Sequence, residues 1–202
     1  METFHFMFVR HGQTDFNIER RATGWRDISL NDTGREQARE AGQSILTLPK
    51  EYWPDIIINS GLRRARETGE IIGNILTDHG HAIRFEENLD LRERNPGAWD
   101  GQLWDEVPPG ETLTRDQLRT KGMFPPDAED NPTFMARLQR GIAHGLDPNN
   151  FGEGRRMFAW HGGVERIIRR MYELEGADKH PPNAKVHIMF QKADGKFRVH
   201  SP

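Results

Sequence analysis

Four places in the chain hold residue types that could handle an anion and do chemistry on it. Arg10-His11-Gly12 closes the apolar run 4–9. An arginine offers a permanently charged fork for an anion, and a neutral imidazole is a possible nucleophile. Glycine permits a tight turn and close approach of a ligand. His161-Gly162-Gly163 stands where a second apolar run gives way to a helical pattern, and backbone N–H groups at a helix start suit a phosphate. Arg64, near a helix start, adds a cation, and Glu93, in a loop, adds a carboxylate. Taken singly these residues are ordinary. A lone strand-end histidine is as often part of a surface turn, a lone arginine is usually solvated, and Glu93 could simply pair with Arg92 or Arg94.

Composition narrows the field. The chain has 202 residues, 35% hydrophobic and 29% charged, with 28 Lys and Arg against 31 Asp and Glu for a net charge of −3. That balance predicts neither nucleic acid nor an anionic membrane as partner. No apolar stretch reaches bilayer-spanning length, and the N-terminus lacks signal-peptide features, so a cytoplasmic protein is expected. With no cysteine, disulfides, thiol catalysis and Cys-ligated zinc are excluded. His79-x-His81 lacks a further ligand at metal spacing, and Gly12 lies in no GxxxxGK pattern. No metal and no cofactor are expected.

The surrounding pattern alternates strands and helices, the mark of a layered α/β fold. The first strand, over 4–9, precedes a loop over 17–27. Thr33-x-x-Glu36 reads as a capping box, followed by Ala38, Ala41, Ile45 and Leu48 at helical spacing up to Pro49. The β-branched run in 55–60 predicts a second buried strand. It leads into a helix with Leu62, Ala65, Gly69, Ile72 and Leu76 on one face. A short strand over 82–85 precedes a loop holding Glu93. Residues 102–130, with Pro108-Pro109-Gly110 and Pro125-Pro126, have no clean period and predict a lid or specificity excursion within one domain spanning 1–202. Asn131-Pro132 predicts an N-cap and first helical residue, with Phe134, Leu138, Ile142 and Leu146 along that helix. A strand over 156–160 feeds a helix striped by Val164, Ile167, Ile168, Met171 and Leu174, which Gly176 should cap. Residues 179–182 read as a connector, and a hairpin over 185–191 and 197–200 closes the chain.

In order, five blocks resemble those of the histidine phosphatase superfamily, which includes the phosphoglycerate mutases and fructose-2,6-bisphosphatase. They are Arg10-His11-Gly12-x-Thr14-x-x-Asn17, Thr23-Gly24-Trp25-x-Asp27-x-x-Leu30-x-x-x-Gly34, Ser60-x-Leu62-x-Arg64-Ala65-x-x-Thr68, Leu91-x-Glu93-x-x-x-Gly97-x-Trp99-x-Gly101 and His161-Gly162-Gly163. Asn183-Ala184 also looks familial. The resemblance covers nearly the whole chain. It implies a three-layer α/β/α sandwich, phosphoglycerate mutase-like, whose mostly parallel sheet has one antiparallel strand.

For the site, the resemblance implies a catalytic set of His11, Glu93, Arg10, Arg64 and His161. His11 would form a phosphohistidine that water later hydrolyses, and Glu93 would be the general acid. Arg10 and Arg64 would grip the phosphoryl oxygens and His161 would add a donor. Asn17, Thr23, Gly24 and Gly162 would complete the substrate cradle. The partner is then a small phosphorylated substrate, and a homo-oligomer is left open. A phosphomonoesterase leads, a mutase-type phosphotransferase comes second, and a catalytically idle phospho-ligand binder third. Three positions depart from the family pattern: Pro96, where an aromatic is frequent, Asp100, where Glu is frequent, and Glu165, where an apolar residue is usual. On the helix stripe Glu165 is expected to face solvent.

Overall fold

Successive side chains along a strand point to opposite faces of a sheet, so each strand here feeds two separate apolar layers. In the computed structural model, which describes residues 2–107, 125–177 and 179–202, β1 (Glu2–Arg10) occupies an inner position of a six-stranded sheet. The other strands are β2 (Ile56–Asn59), β3 (Arg84–Glu87), β4 (Arg156–Trp160), β5 (Val186–Lys192) and β6 (Phe197–His200), in the order β3-β2-β4-β1-β5-β6. β1 to β4 run parallel, and β5 is antiparallel to both of its neighbours. One strand therefore runs against the rest.

Phe6, Phe8, Ile58, Phe158 and Trp160 point to one face of the sheet. There they meet α4 (Asn131–Leu146) and α6 (Gly162–Met171) through Phe134, Leu138, Ile142, Val164 and Ile168. Met7, Val9, Ile57, Met157 and Ala159 point to the other face, under α2 (Asp32–Leu46) and α3 (Arg63–Asp78). Both faces are covered, which is why β1 and β4 read as near-continuous apolar runs and not as alternating ones. Glycines on α3 let it come close to that face: a Cβ on Gly69 would lie 2.9 Å from Ile57, and one on Gly73 2.5 Å from the Phe85 ring. Two single-turn helices, α1 (Asp15–Ile18) and α5 (Pro148–Phe151), complete the described α-helices, and three short 3-10 turns lie at Lys50–Tyr52, Leu89–Leu91 and Gly97–Trp99.

Helix ends differ from the sequence expectation by one to five residues. The N-cap of α2 is Asn31, not Thr33, and its side chain accepts from the Gly34 amide at 2.9 Å. The Asn31 amide is itself tied to the Gln13 carbonyl, a contact no local pattern announces. Asp130, not Asn131, caps α4, because its carboxylate reaches the Thr133 amide. α6 ends at Met171, and Glu173 takes a positive φ of 52° before Gly176 is reached. Most of the expected excursion, 108–124, lies outside the described residues. Its flanks do not: Leu103 bridges Arg21, and Glu129 pairs with Asn95.

Candidate active site

The register of β1 against β4 assembles the centre. Arg10 is paired with Trp160, so the next residues, His11 and His161, leave the sheet side by side, with ring centroids 5.3 Å apart. β2, beyond β4, pairs Asn59 with Ala159, which brings Ser60 Oγ within 2.7 Å of His161 Nε2. After β1 the chain turns to the α2–α3 face and after β4 to the α6 face. Adjacent parallel strands that diverge in this way open a crevice at their carboxyl ends, the usual place for a ligand in an α/β sheet.

His11 is 4% exposed, and its Nδ1 lies 2.7 Å from the Gly12 carbonyl. A carbonyl only accepts, so Nδ1 carries the proton and Nε2 keeps its lone pair. Burial, then the charges of Arg64 and Arg10, hold the ring well below the usual imidazole pKa. His161 is fully buried and likewise held neutral, first by burial and then by Arg64. Its Nδ1 has no hydrogen-bond partner among the described residues.

Arg64, on the first turn of α3, is also fully buried. Its two Nη groups donate to the carbonyls of Gly24 and Arg26 at 2.8 and 3.0 Å. Its Nε has no partner among the described residues. Burial lowers its pKa to about 10, against the opposing pull of Glu93 and Asp100, so it remains a cation at neutral pH. Arg10 is 4% exposed and donates through Nη1 to the Pro181 carbonyl at 2.5 Å and to His180 Nε2 at 3.0 Å. Residues 179–182 are therefore more than a connector, because 180 and 181 hold the side chain of Arg10 across 170 residues of sequence.

Glu93 meets this cluster from the loop after β3. Its Oε2 accepts from the Gly163 amide at 2.7 Å and its Oε1 from the Arg94 amide at 2.8 Å. A Cβ on Gly163 would lie 2.1 Å from Oε1, so glycine is required at the start of α6 for the carboxylate to be seated there. Asp100 fastens the facing loop, accepting from the amides of Gly24, Trp25 and Arg26. Gly24 packs so closely on Pro96 that a Cβ would lie 2.0 Å from its ring. Two sequence blocks are thus joined at the position where Pro96 departs from the usual aromatic.

The expected residues take different places. Arg10, His11, Arg64 and His161 share one buried cluster, Glu93 adjoins it through Gly163, and Gly162 lies against the Arg10 side chain. Gly24 supplies a carbonyl to Arg64. Asn17 caps α1 together with Thr14, and its Oδ1 accepts from Asn183, whose Nδ2 also donates to the His11 carbonyl. The Thr23 hydroxyl is directed at the Arg21 carbonyl of its own loop. Sequence reading passed over Arg137, whose buried guanidinium holds the Glu93 loop. Its only local signal was a charge on an otherwise apolar helix face. The expectation for Glu165 is corrected. It is 1% exposed, one turn beyond His161, and pairs with Arg169 at 3.0 Å. Burial raises its pKa. His79 and His81 are bound to the carbonyls of Ile75 and Pro54. Among the described residues no helix is long and apolar enough to cross a membrane.

Comparison with known proteins bears on the family and the fold. A phosphatase named PhoE from Bacillus subtilis, itself called uncharacterized, is 40% identical over 172 residues, covering 84% of this chain and 77% of that protein. A 2,3-bisphosphoglycerate-dependent phosphoglycerate mutase from Mesorhizobium japonicum is 30% identical over 165 residues, covering 80% of this chain and 78% of that protein. The crystal structure of a phosphoglycerate mutase from Thermus thermophilus superposes with a TM-score of 0.69 at 30% identity, covering 100% of this chain and 99% of that one. The six-stranded, mostly parallel sheet between helices is therefore the phosphoglycerate mutase fold. With a family model matching residues 6–199, the chain belongs to the histidine phosphatase superfamily (branch 1).

Proposed function

We propose that the chain is a metal-independent phosphomonoesterase acting on a small phosphorylated metabolite through a phosphohistidine on His11. The observation that carries this reading is the neutral, oriented imidazole of His11, its Nδ1 proton held by the Gly12 carbonyl at 2.7 Å beside two buried guanidinium groups. Nε2 attacks phosphorus as the ester P–O bond breaks, and Glu93 gives its proton to the leaving alkoxide. Water then attacks the phosphoryl group, Glu93 takes the water's proton, and the P–N bond breaks to release phosphate. Arg10 and Arg64 supply the charge neutralisation that divalent cations provide in other phosphoryl-transfer sites. His161 and the start of α6 at Gly162 add donors. Asn17, Thr23 and Gly24 form the rim of the same cradle.

Hydrolysis is favoured by the 40% identical relative named a phosphatase, and mutase activity by the relatives named mutases near 30%. A mutase must keep water from its phosphoenzyme and hold a second acidic group on the substrate. The 102–130 segment offers only Arg115, Arg119 and Lys121 against seven carboxylates, which supports hydrolysis. Quenched turnover of a radiolabelled phosphate ester should leave acid-labile, alkali-stable label on His11, and His11→Ala should abolish turnover. Label trapped on another residue would overturn the mechanism. Isomerisation of 3-phosphoglycerate in the presence of 2,3-bisphosphoglycerate, if faster than phosphate release from every ester tried, would select the mutase.

A further inference from the structure

Arg137 lies on α4, outside every sequence block that marks the site, and is 8% exposed. All five of its N–H donors are used. Nε and Nη2 donate to the two carboxylate oxygens of Glu129 at 2.8 and 2.6 Å. Nη1 donates to the carbonyls of Asp90 and Arg92 at 2.8 and 3.0 Å, and Nη2 also to the carbonyl of Glu93 at 3.3 Å. Three contacts thus run along the backbone that presents the Glu93 carboxylate. The Glu93 carbonyl receives a further bond from Trp25 Nε1 at 2.8 Å. Glu129 is fixed in turn by its own amide on the Asn95 carbonyl at 2.9 Å.

We infer that Arg137, locked by Glu129, is a positioning residue that holds the Glu93 carboxylate in register with the substrate oxygen it protonates. The inference rests on the reading of Glu93 as the proton carrier. Only a guanidinium can do this work, because a planar fork is needed to meet one carboxylate bidentately and three carbonyls at once. The seat at Gly163 leaves little slack, since Oε2 is bonded to its amide and Oε1 lies where a Cβ would be at 2.1 Å. Displacement of a catalytic group by about 1 Å can cost about 10²-fold in rate. Glu129 also stands at the root of the 102–130 segment, so this pair ties that root to the acid loop.

Arg137→Lys keeps the charge and loses the fork. With glycerol phosphate it should lower kcat by roughly 10- to 10²-fold with little change in KM. With p-nitrophenyl phosphate, whose leaving group needs little protonation, the loss should be much smaller. Added to Glu93→Gln, Arg137→Lys should cost almost nothing more, because both act through one carboxyl group. Glu129→Gln should reproduce the leaving-group pattern more weakly, and it decides the matter if thermal melts show Arg137→Lys unfolded. Equal losses on both esters, or full additivity with Glu93→Gln, would overturn the positioning role while label on His11 persists. Absence of label on His11 in the unaltered protein would instead remove the proposed function and this inference with it.

Discussion

Two buried polar clusters lie one helical turn apart, and they are built on opposite plans. Around His11 and His161, Arg64 is fully desolvated yet hydrogen-bonds only to neutral carbonyls, with one donor unused among the described residues. Around Glu165, by contrast, Arg169 pairs with the carboxylate, donates to the Glu175 carbonyl and reaches His187 Nε2 at 3.4 Å. His187 Nδ1 lies 2.7 Å from Ser201 Oγ. Glu165 Oε2 alone is left without a partner there among the described residues. Leaving a buried cation without a hydrogen-bonded counter-charge costs stability, and such cost is tolerated where an anion is to be bound. On the proposed function the first cluster is where the phosphate is gripped, whereas the second is a buried ion pair away from it.

If so, the two clusters should answer oppositely to the same kind of substitution. Arg64→Met should reduce kcat/KM by about 10³-fold or more. It should shift the melting temperature by only a few degrees, because relief of desolvation offsets the two lost carbonyl bonds. A loss of several kcal/mol in stability would erase the contrast. Arg169→Met should do the reverse, lowering unfolding free energy by about 3 kcal/mol with turnover changed less than about twofold. Denaturant titration beside steady-state kinetics reads both.

The effect that is smallest at neutral pH, and grows in acid, concerns His187. His187 is held down to about 3, chiefly by burial and then by Arg169. Below the ordinary imidazole value of 6.5 the unfolded chain binds a proton here that the folded chain refuses. Stability therefore falls as pH drops from that value toward 3. His187→Gln should flatten the pH dependence of unfolding free energy in that window by one proton, about 1.4 kcal/mol per pH unit. An unchanged slope would mean that His187 is already protonated in the folded protein.

What was legible in the chain was whatever depends on neighbours a few residues away. The apolar runs around Phe6 and Phe158 marked the inner strands, and the stripe Leu62, Ala65, Gly69, Ile72 and Leu76 marked the buried face of α3. Five ordered blocks marked the residues of the candidate site. Their glycines now have a physical reason in backbone packing: a Cβ on Gly12 would strike the Gly34 carbonyl in α2 at 2.3 Å, and one on Gly34 the Gln13 carbonyl at 2.0 Å. Local periodicity and turn chemistry are short-range properties, and a sequence displays them directly.

The tertiary structure decided the contacts that cross long stretches of chain. Nothing near Pro181 says that its carbonyl will receive Arg10, since that bond depends on where the approach to β5 meets the end of β1. Asn31 wins the cap of α2 over Thr33, and Gln13, from the turn after β1, holds its amide. Glu165 was placed on the solvent side by helical spacing, but α6 is covered on that side too, by the strand carrying His187. A helical wheel gives the angle of a residue about its own axis and not what stands opposite. Arg137 shows the same limit: its five bonds are set by a fold that brings residues 90–93, 129 and 137 to one point. The sequence by itself determined which residues gather at the strand ends, through pattern and spacing. Only packing determined which charges there meet a counter-charge and which meet neutral carbonyls alone, because pairing is a property of distance in space and of lost water.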